Sequence, residues 1–307
     1  MAPSPSHRPL LPQHDRYDFV PLPERRDYDW PGGKRLAFCV TTNVEWFAFG
    51  AGLGHDPAKT GEPQTHRNYS WRDYGNRIGI WRLLDLFDEL KLPAAHNTNS
   101  LLYQYAPQVM AAIRKRGDEV VAHGRTNAEN LRGLWQPDEE RILREVTDAI
   151  ARAEGAPPRG WMGSGAYETA STLDLLKELG YAYVMDWPMD DQPVWLRTRA
   201  GPILSVPYPL ELNDSQVVIH RKESTTTFCD MIVDQFEEMI GQCERHPLVM
   251  NISVHPYVFG QPFRLRQLRE ALRHCREHAR QAHVWWTRPR EIADYCLKLP
   301  PGIIPGS

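Results

Sequence analysis

Leu36-Ala37-Phe38-Cys39-Val40-Thr41-Thr42-Asn43-Val44-Glu45-Trp46 begins as an apolar run of strand length and turns polar where it ends. The same event recurs downstream. Glu119-Val120-Val121-Ala122 runs into His123-Gly124-Arg125-Thr126-Asn127, and Asn251-Ile252-Ser253-Val254 runs into His255-Pro256. Counting the shorter apolar runs, strands are predicted at 35–42, 94–98, 119–123, 181–185, 203–206, 248–254 and 283–286.

Helical spacing fills the gaps. Ile78, Trp81, Leu83, Leu84, Leu86, Phe87 and Leu90 recur at three- and four-residue intervals. Ile142, Val146, Ile150 and Ala153 do so behind Pro137-Asp138-Glu139-Glu140, an acidic start that suits a helix N-terminus. Leu173, Leu175, Leu176 and Leu179 precede Gly180, a helix stop, and two more helices are predicted over 228–240 and 263–279. Alternating strands and helices favour a parallel sheet, open or closed.

Outside this pattern lies residues 1–31, rich in Pro, Arg and Asp and without a period, which read as an extended arm. No second compositional regime follows, so residues 32–307 are expected to form one catalytic domain. A net charge of −3 offers no bulk attraction to nucleic acid or anionic lipid. Five cysteines, none in a C-x-x-C pair, argue against a disulfide framework and fit a reducing compartment. The first residues lack the apolar run of a secretory signal, and no stretch has the length of a membrane span; the expected location is the cytoplasm.

In a parallel barrel the site lies where strands end and loops begin. Three strand ends offer Asn43 and Glu45, His123 and Asn127, and His255. Each has a plain alternative: a histidine tied into the fold, a solvated loop carboxylate, a turn asparagine. Their coincidence at equivalent strand ends points to a site. His96 could reach the same mouth, although a structural role is the simpler one for it. Asp190, Asp191 and Trp195 lie in a stretch that could close over a substrate or form a solvated turn. Ser164 lacks the G-x-S-x-G elbow of a nucleophile. Gly50-Ala51-Gly52-Leu53-Gly54 has no phosphate-binding helix pattern after it and reads as a flexible loop.

At these residues a family resemblance emerges. Val120-Val121-Ala122-His123-Gly124 resembles the histidine motif of the polysaccharide deacetylases, and Val254-His255-Pro256 their last motif. Trp30-Pro31-Gly32-Gly33-Lys34-Arg35-Leu36-Ala37 resembles the entry to their first strand. Tyr74-Gly75-Asn76-Arg77-Ile78-Gly79-Ile80-Trp81-Arg82-Leu83-Leu84, Gly160-Trp161-Met162 and Val206-Pro207-Tyr208-Pro209-Leu210-Glu211-Leu212-Asn213-Asp214 are similar to segments of the allantoinase and cyclic-imide-hydrolase branch. The resemblance runs in order from Asp27 to Leu299. It implies an α/β fold, a distorted and incomplete (β/α) TIM-like barrel.

Members of this family usually hold a divalent metal with one Asp and two His. By that resemblance Asn43 stands where the metal-binding Asp would be, His123 matches the first His, and Asn127 replaces the second. Thr41 takes the place of the basic Asp, and His255 matches the acid His. Gly163-Ser164-Gly165-Ala166 replaces a basic residue often found after Gly-Trp in relatives. Amide oxygens are weak zinc ligands, so no metal or other cofactor is expected, with a divalent ion such as zinc as the alternative. Asn43-Val44-Glu45 matches an Asn-x-Glu pattern of the allantoinase-like branch.

The expected activity is hydrolysis of a non-peptide carbon–nitrogen bond in a small amide, ureide or cyclic imide. Glu45, His123 and His255 are expected to be catalytic, with Asn43, Asn127 and Trp195 binding the substrate. Glu45 would activate water, His123 with an Asn would hold the carbonyl oxygen, and His255 would protonate the leaving nitrogen. The rivals are a metal-dependent carbohydrate N-deacetylase and a catalytically silent barrel that binds a metabolite or carbohydrate. A small-molecule substrate is the expected partner, with neither nucleic acid nor membrane. The arm and the resemblance imply a homo-oligomer.

Overall fold

A computed structural model describes residues 13–50, 65–278 and 280–306. Its nine strands are β1 (Leu36–Val44), β2 (Ala95–Thr98), β3 (Glu119–Ala122), β4 (Gly160–Trp161), β5 (Tyr183–Val184), β6 (Val194–Leu196), β7 (Ile203–Ser205), β8 (Leu248–Val254) and β9 (Val284–Thr287). The helices are α1 (His66–Tyr74), α2 (Ile80–Glu89), α3 (Leu102–Tyr105), α4 (Pro107–Arg116), α5 (Gln136–Glu154), α6 (Thr172–Glu178), α7 (Thr225–Gln242), α8 (Pro256–Phe259), α9 (Pro262–Glu277) and α10 (Pro289–Cys296). No helix among the described residues is long and apolar enough to cross a membrane.

All nine residues of β1 are buried, as in a central parallel strand covered on both faces. One edge pairs with β8 from Leu36↔Leu248 to Thr42↔Val254. The other pairs first with β9, from Leu36↔Val284 to Cys39↔Thr287, and then with β2, from Thr41↔Ala95 to Val44↔Thr98. The sheet order is β6-β7-β5-β4-β3-β2-β1-β8, parallel except for the antiparallel β6–β7 pair. Between β7 and β8 irregular chain takes the place of a ladder: Ser253 N donates to Leu212 O, Asn251 Nδ2 to Pro207 O and Val249 N to Asp191 O. The result is a distorted, incomplete barrel.

Strand alternation sorts the side chains. Leu36, Phe38 and Val40 face the outer helices, packing in one cluster with Leu83, Phe87, Phe236 and Leu268. Ala37 and Cys39 face inward with Ala95, Val121 and Val249. Continuing the inner column along each strand reaches Thr41 and Asn43, Asn97, His123, and then Asn251, Ser253 and His255. The period of two therefore aims the polar strand ends at one mouth.

All seven expected strands are present, with ends shifted by at most two residues. Two strands escape the sequence pattern: β4 has only two residues, and β6 is a three-residue antiparallel edge. Expected helix 78–90 becomes α2, preceded by a π-helical turn at Gly75–Gly79 that joins it to α1. Helix 263–279 is α9; Ala279 lies outside the described residues. α1, α4 and α10 are helices that the periodicity does not reveal. In the N-terminal segment, residues 13–31 lie along the chain's own barrel. Arg16 pairs with Asp174 at 2.9 Å, Arg25 with Asp190 at 2.5 Å, and buried Trp30 donates its Nε1 to Leu248 O. Residues 1–12, and 51–54 of the glycine-rich loop, lie outside the described residues. The five cysteines are buried free thiols.

Candidate active site

Two polar layers close the barrel's interior. In the lower one Thr41 Oγ1 donates to Asn251 Oδ1 at 2.8 Å. Above it Asn43, Asn97, Tyr208 and Ser253 form one network. Asn43 Nδ2 donates to Ser253 Oγ at 2.8 Å, and Asn43 Oδ1 accepts from Asn97 Nδ2 at 2.9 Å and from the Tyr208 hydroxyl at 3.2 Å. On this floor sit Glu45, His123 and His255, all buried, in the wall of a cavity of about 220 Å³.

Each of the three is held from behind. The loop after β1 is laced to its neighbours: Asn76 Nδ2 donates to Glu45 O at 2.7 Å, and Asn127 N donates to Trp46 O at 2.8 Å. Asn127 Nδ2 also donates to Glu45 Oε1 at 2.6 Å. His123 Nδ1 donates to the Met162 carbonyl at 2.5 Å, which fixes the proton on that nitrogen because a carbonyl only accepts. His255 is extended, with Pro256 opening α8 directly after it. Its Nδ1 donates to Asp214 Oδ1 at 2.6 Å, and its backbone N to Asp214 Oδ2 at 2.8 Å.

Glu45 Oε1 then lies 3.5 Å from His255 Nε2 and 3.7 Å from His123 Nε2. Glu45 Oε2 and His123 Nε2 have no hydrogen-bond partner among the described residues. Burial alone would raise the Glu45 carboxyl, but the His255 and His123 rings hold it well below the usual carboxylate range. Burial alone would lower His255; Asp214 and Glu45 outweigh it and push the imidazole up to about 10. His255 is thus a cation at neutral pH between two carboxylates.

The expected substrate-binding residues divide. Asn43 and Asn127 line the cavity, but their amides already serve the protein. Asn127 Oδ1 accepts from Ser164 Oγ at 2.8 Å, which makes Ser164 a support of this loop. Trp195 is a correction. It lies in β6 opposite Leu204, donates its backbone N to Pro305 O and packs in the interior cluster, and it is not among the residues lining the cavity. The antiparallel edge strand, unread in the sequence, carries it there. Asp190 is taken by Arg25, and the Asp191 carbonyl by Val249. His96 is fully buried between Thr42 Oγ1 at 2.6 Å and Asp118 at 3.0 Å, so its role is structural.

Asp214, Asn97, Tyr208, Ser253 and Asp186 belong to the site region without having been singled out. Asn97 and Ser253 were legible as inner-face residues. Asp214 reaches His255 across 41 residues, a separation no local pattern encodes.

A divalent metal needs about three good donors. Both asparagine amide oxygens are occupied by internal donors, and His255 offers only N–H groups. Of these residues only Glu45 Oε2 and His123 Nε2 remain, so the positions that would hold the ion by resemblance do not fit it. Among the described residues no group of three or more His, Cys, Asp or Glu is arranged to hold a metal.

Comparison with known proteins places this geometry. A family model described as polysaccharide deacetylase matches residues 69–184. A putative polysaccharide deacetylase of Schizosaccharomyces pombe is 28% identical over 280 residues, covering 85% of each chain. A peptidoglycan deacetylase of Helicobacter pylori is 25% identical, covering 74% of this chain and 87% of its own. Among solved structures, Puue allantoinase superposes with a TM-score of 0.79 at 25% identity, over 89% of this chain and 93% of that one.

Proposed function

We propose that this chain, which is similar to the polysaccharide deacetylases, hydrolyses a carbon–nitrogen bond in a small amide, ureide or cyclic imide. The observation that carries the reading is the pairing of two unpartnered acceptors with a clamped acid. A water molecule has two hydrogens to donate, and Glu45 Oε2 and His123 Nε2 are two buried acceptors on one cavity wall. A water held by both keeps a lone pair for the carbonyl carbon.

The proton traffic follows from the charges. Glu45 takes a proton from the attacking water as the new carbon–oxygen bond forms. His255 gives its Nε2 proton to the departing nitrogen as the carbon–nitrogen bond breaks. While His255 is charged it depresses Glu45. Once it releases its proton, Glu45 becomes more basic, so the two transfers reinforce each other. The products are a carboxylic acid and an amine or amide. Asn43, expected to touch substrate, is assigned the floor instead. His123 is assigned to the water, because its Nδ1 is committed to the Met162 carbonyl and its Nε2 faces the cavity without a hydrogen-bond partner among the described residues. A cavity of about 220 Å³ suits a small ring or short ureide better than an oligosaccharide.

A second reading has its own support. Both curated relatives are named as deacetylases, which favours removal of an N-acetyl group from a carbohydrate. One experiment separates the two. Protein dialysed against a chelator is offered succinimide, hydantoin and N-acetylglucosamine oligomers, and ring opening and acetate release are followed. Ring opening that survives the chelator is the expected result. Acetate release restored by zinc, with the rings untouched, would transfer the assignment to the second reading.

A further inference from the structure

The cavity holds one acid that this mechanism does not use. Asp186 follows β5, on the same rim as Glu45, His123 and His255, and is 8% exposed. Its Oδ1 accepts from Gly163 N at 2.7 Å, while its Oδ2 has no hydrogen-bond partner among the described residues. Leaving a buried carboxyl oxygen unpaired is costly, and structures retain such groups where something else completes them. Met162, Ala166, Met185 and Pro188 line the same cavity, and none of them carries a side-chain donor. The turn that follows β4, Gly163-Ser164-Gly165-Ala166, brings no basic side chain.

We propose that Asp186 is a specificity-determining residue whose Oδ2 accepts a hydrogen bond from a substrate N–H group other than the one at the bond being cleaved. This rests on the hydrolase reading above and narrows it, from any small amide to a ureide or an imide ring carrying a second N–H. Burial pushes the Asp186 carboxyl up to about 7. Nearby Glu168 is also pushed up, by burial first and then by the Asp186 charge. In its carboxylate form Asp186 presents Oδ2 to the cavity as an acceptor.

Hydantoin carries two ring N–H groups; 1-methylhydantoin lacks the one outside the imide. Their binding to wild-type protein and to Asp186→Asn is measured by calorimetry at mildly alkaline pH. The Gly163 N–H needs an acceptor, so the Asn variant keeps oxygen at Oδ1 and presents an NH2 where Oδ2 was. Wild type should bind hydantoin roughly 10-fold or more tighter than the methylated ring, the scale of a hydrogen bond to a charged group. In the variant that preference should vanish through weaker binding of hydantoin. Equal binding of both rings by wild type overturns the proposal whether or not the variant folds. So does a preference that persists in Asp186→Asn, and in both cases the hydrolase reading stands. Failure of wild type to bind either ring removes the hydrolase reading along with the proposal.

Discussion

Asp214 grips His255 twice, through Oδ1 to the ring Nδ1 at 2.6 Å and through Oδ2 to the backbone N at 2.8 Å. The grip fixes both the ring's rotation and its charge, and Glu45 on the other side, 3.5 Å from Nε2, adds to the charge effect. If His255 is the acid, kcat/KM should stay flat through neutral pH and fall only as the pH approaches about 10. Asp214→Asn should pull that alkaline limb down toward the ordinary imidazole range. An unshifted limb in the variant would remove His255 as its source.

The same shift acts on stability. A histidine whose folded pKa lies above its unfolded value contributes stability that is complete below the unfolded value and lost as pH rises through the folded one. For His255 that window runs from 6.5 to about 10. Denaturant unfolding across it should show wild type losing a larger increment than Asp214→Asn, in which only Glu45 still raises the imidazole. Parallel curves for the two proteins would mean that the pair does not carry the charge assigned to it.

Glu45→Gln keeps the shape of the side chain and an acceptor for Asn127, but it removes the base. Turnover of an active substrate should fall by roughly 100-fold or more, within the usual range for a general acid–base group. The alkaline limb should also move down, because one of the two carboxylates that charge His255 is gone. A Gln variant with near-normal kcat/KM would show that His123 activates the water unaided.

Much of this site could be read before the fold was seen, and the reason is the period of two. Once β1, β3 and β8 are recognised as strands, alternation puts Asn43, His123 and His255 on one inner face. Glu45 follows one step beyond Asn43. What escaped is what lacks a period. Asp214 sits in the irregular stretch that replaces a barrel strand, and its partner is 41 residues away. Trp195 was misread because three residues of antiparallel edge strand look the same as a loop. Asp186 lies just past β5, whose apolar run was legible at 181–185, but no pattern marked the acid that follows it.

Behind His255 the structure leaves no room. A methyl group at Gly79, in the π-helical turn, would run into the Pro256 carbonyl and the Cα of Gly260. Replacing Gly by Ala within a helix gains up to about 1 kcal/mol, whereas overpacking costs about 1–3 kcal/mol. Because the obstacle is backbone, the cost should win. Gly79→Ala should lower the melting temperature and, by pushing α8 and the residue before it, reduce turnover. A variant as stable and as active as wild type would show that α8 shifts freely without disturbing His255.

His255 itself gives the sharpest test. His255→Ala should lower kcat/KM by roughly 100-fold or more, the scale of a lost general acid. His255→Gln should lose nearly as much, because an amide can hydrogen-bond but cannot supply the proton. Both variants leave Asp214 and Glu45 buried without their cation, and removing one partner of a buried ion pair is strongly destabilising. Lower melting temperatures are therefore expected, and they would blur the loss of activity. The double variant Asp214→Asn with His255→Gln separates the two effects. Removing one of the stranded charges should recover part of the melting temperature, while turnover stays as low as in His255→Gln alone. Turnover that recovers together with stability would make His255 a strand-end anchor whose proton the reaction does not need.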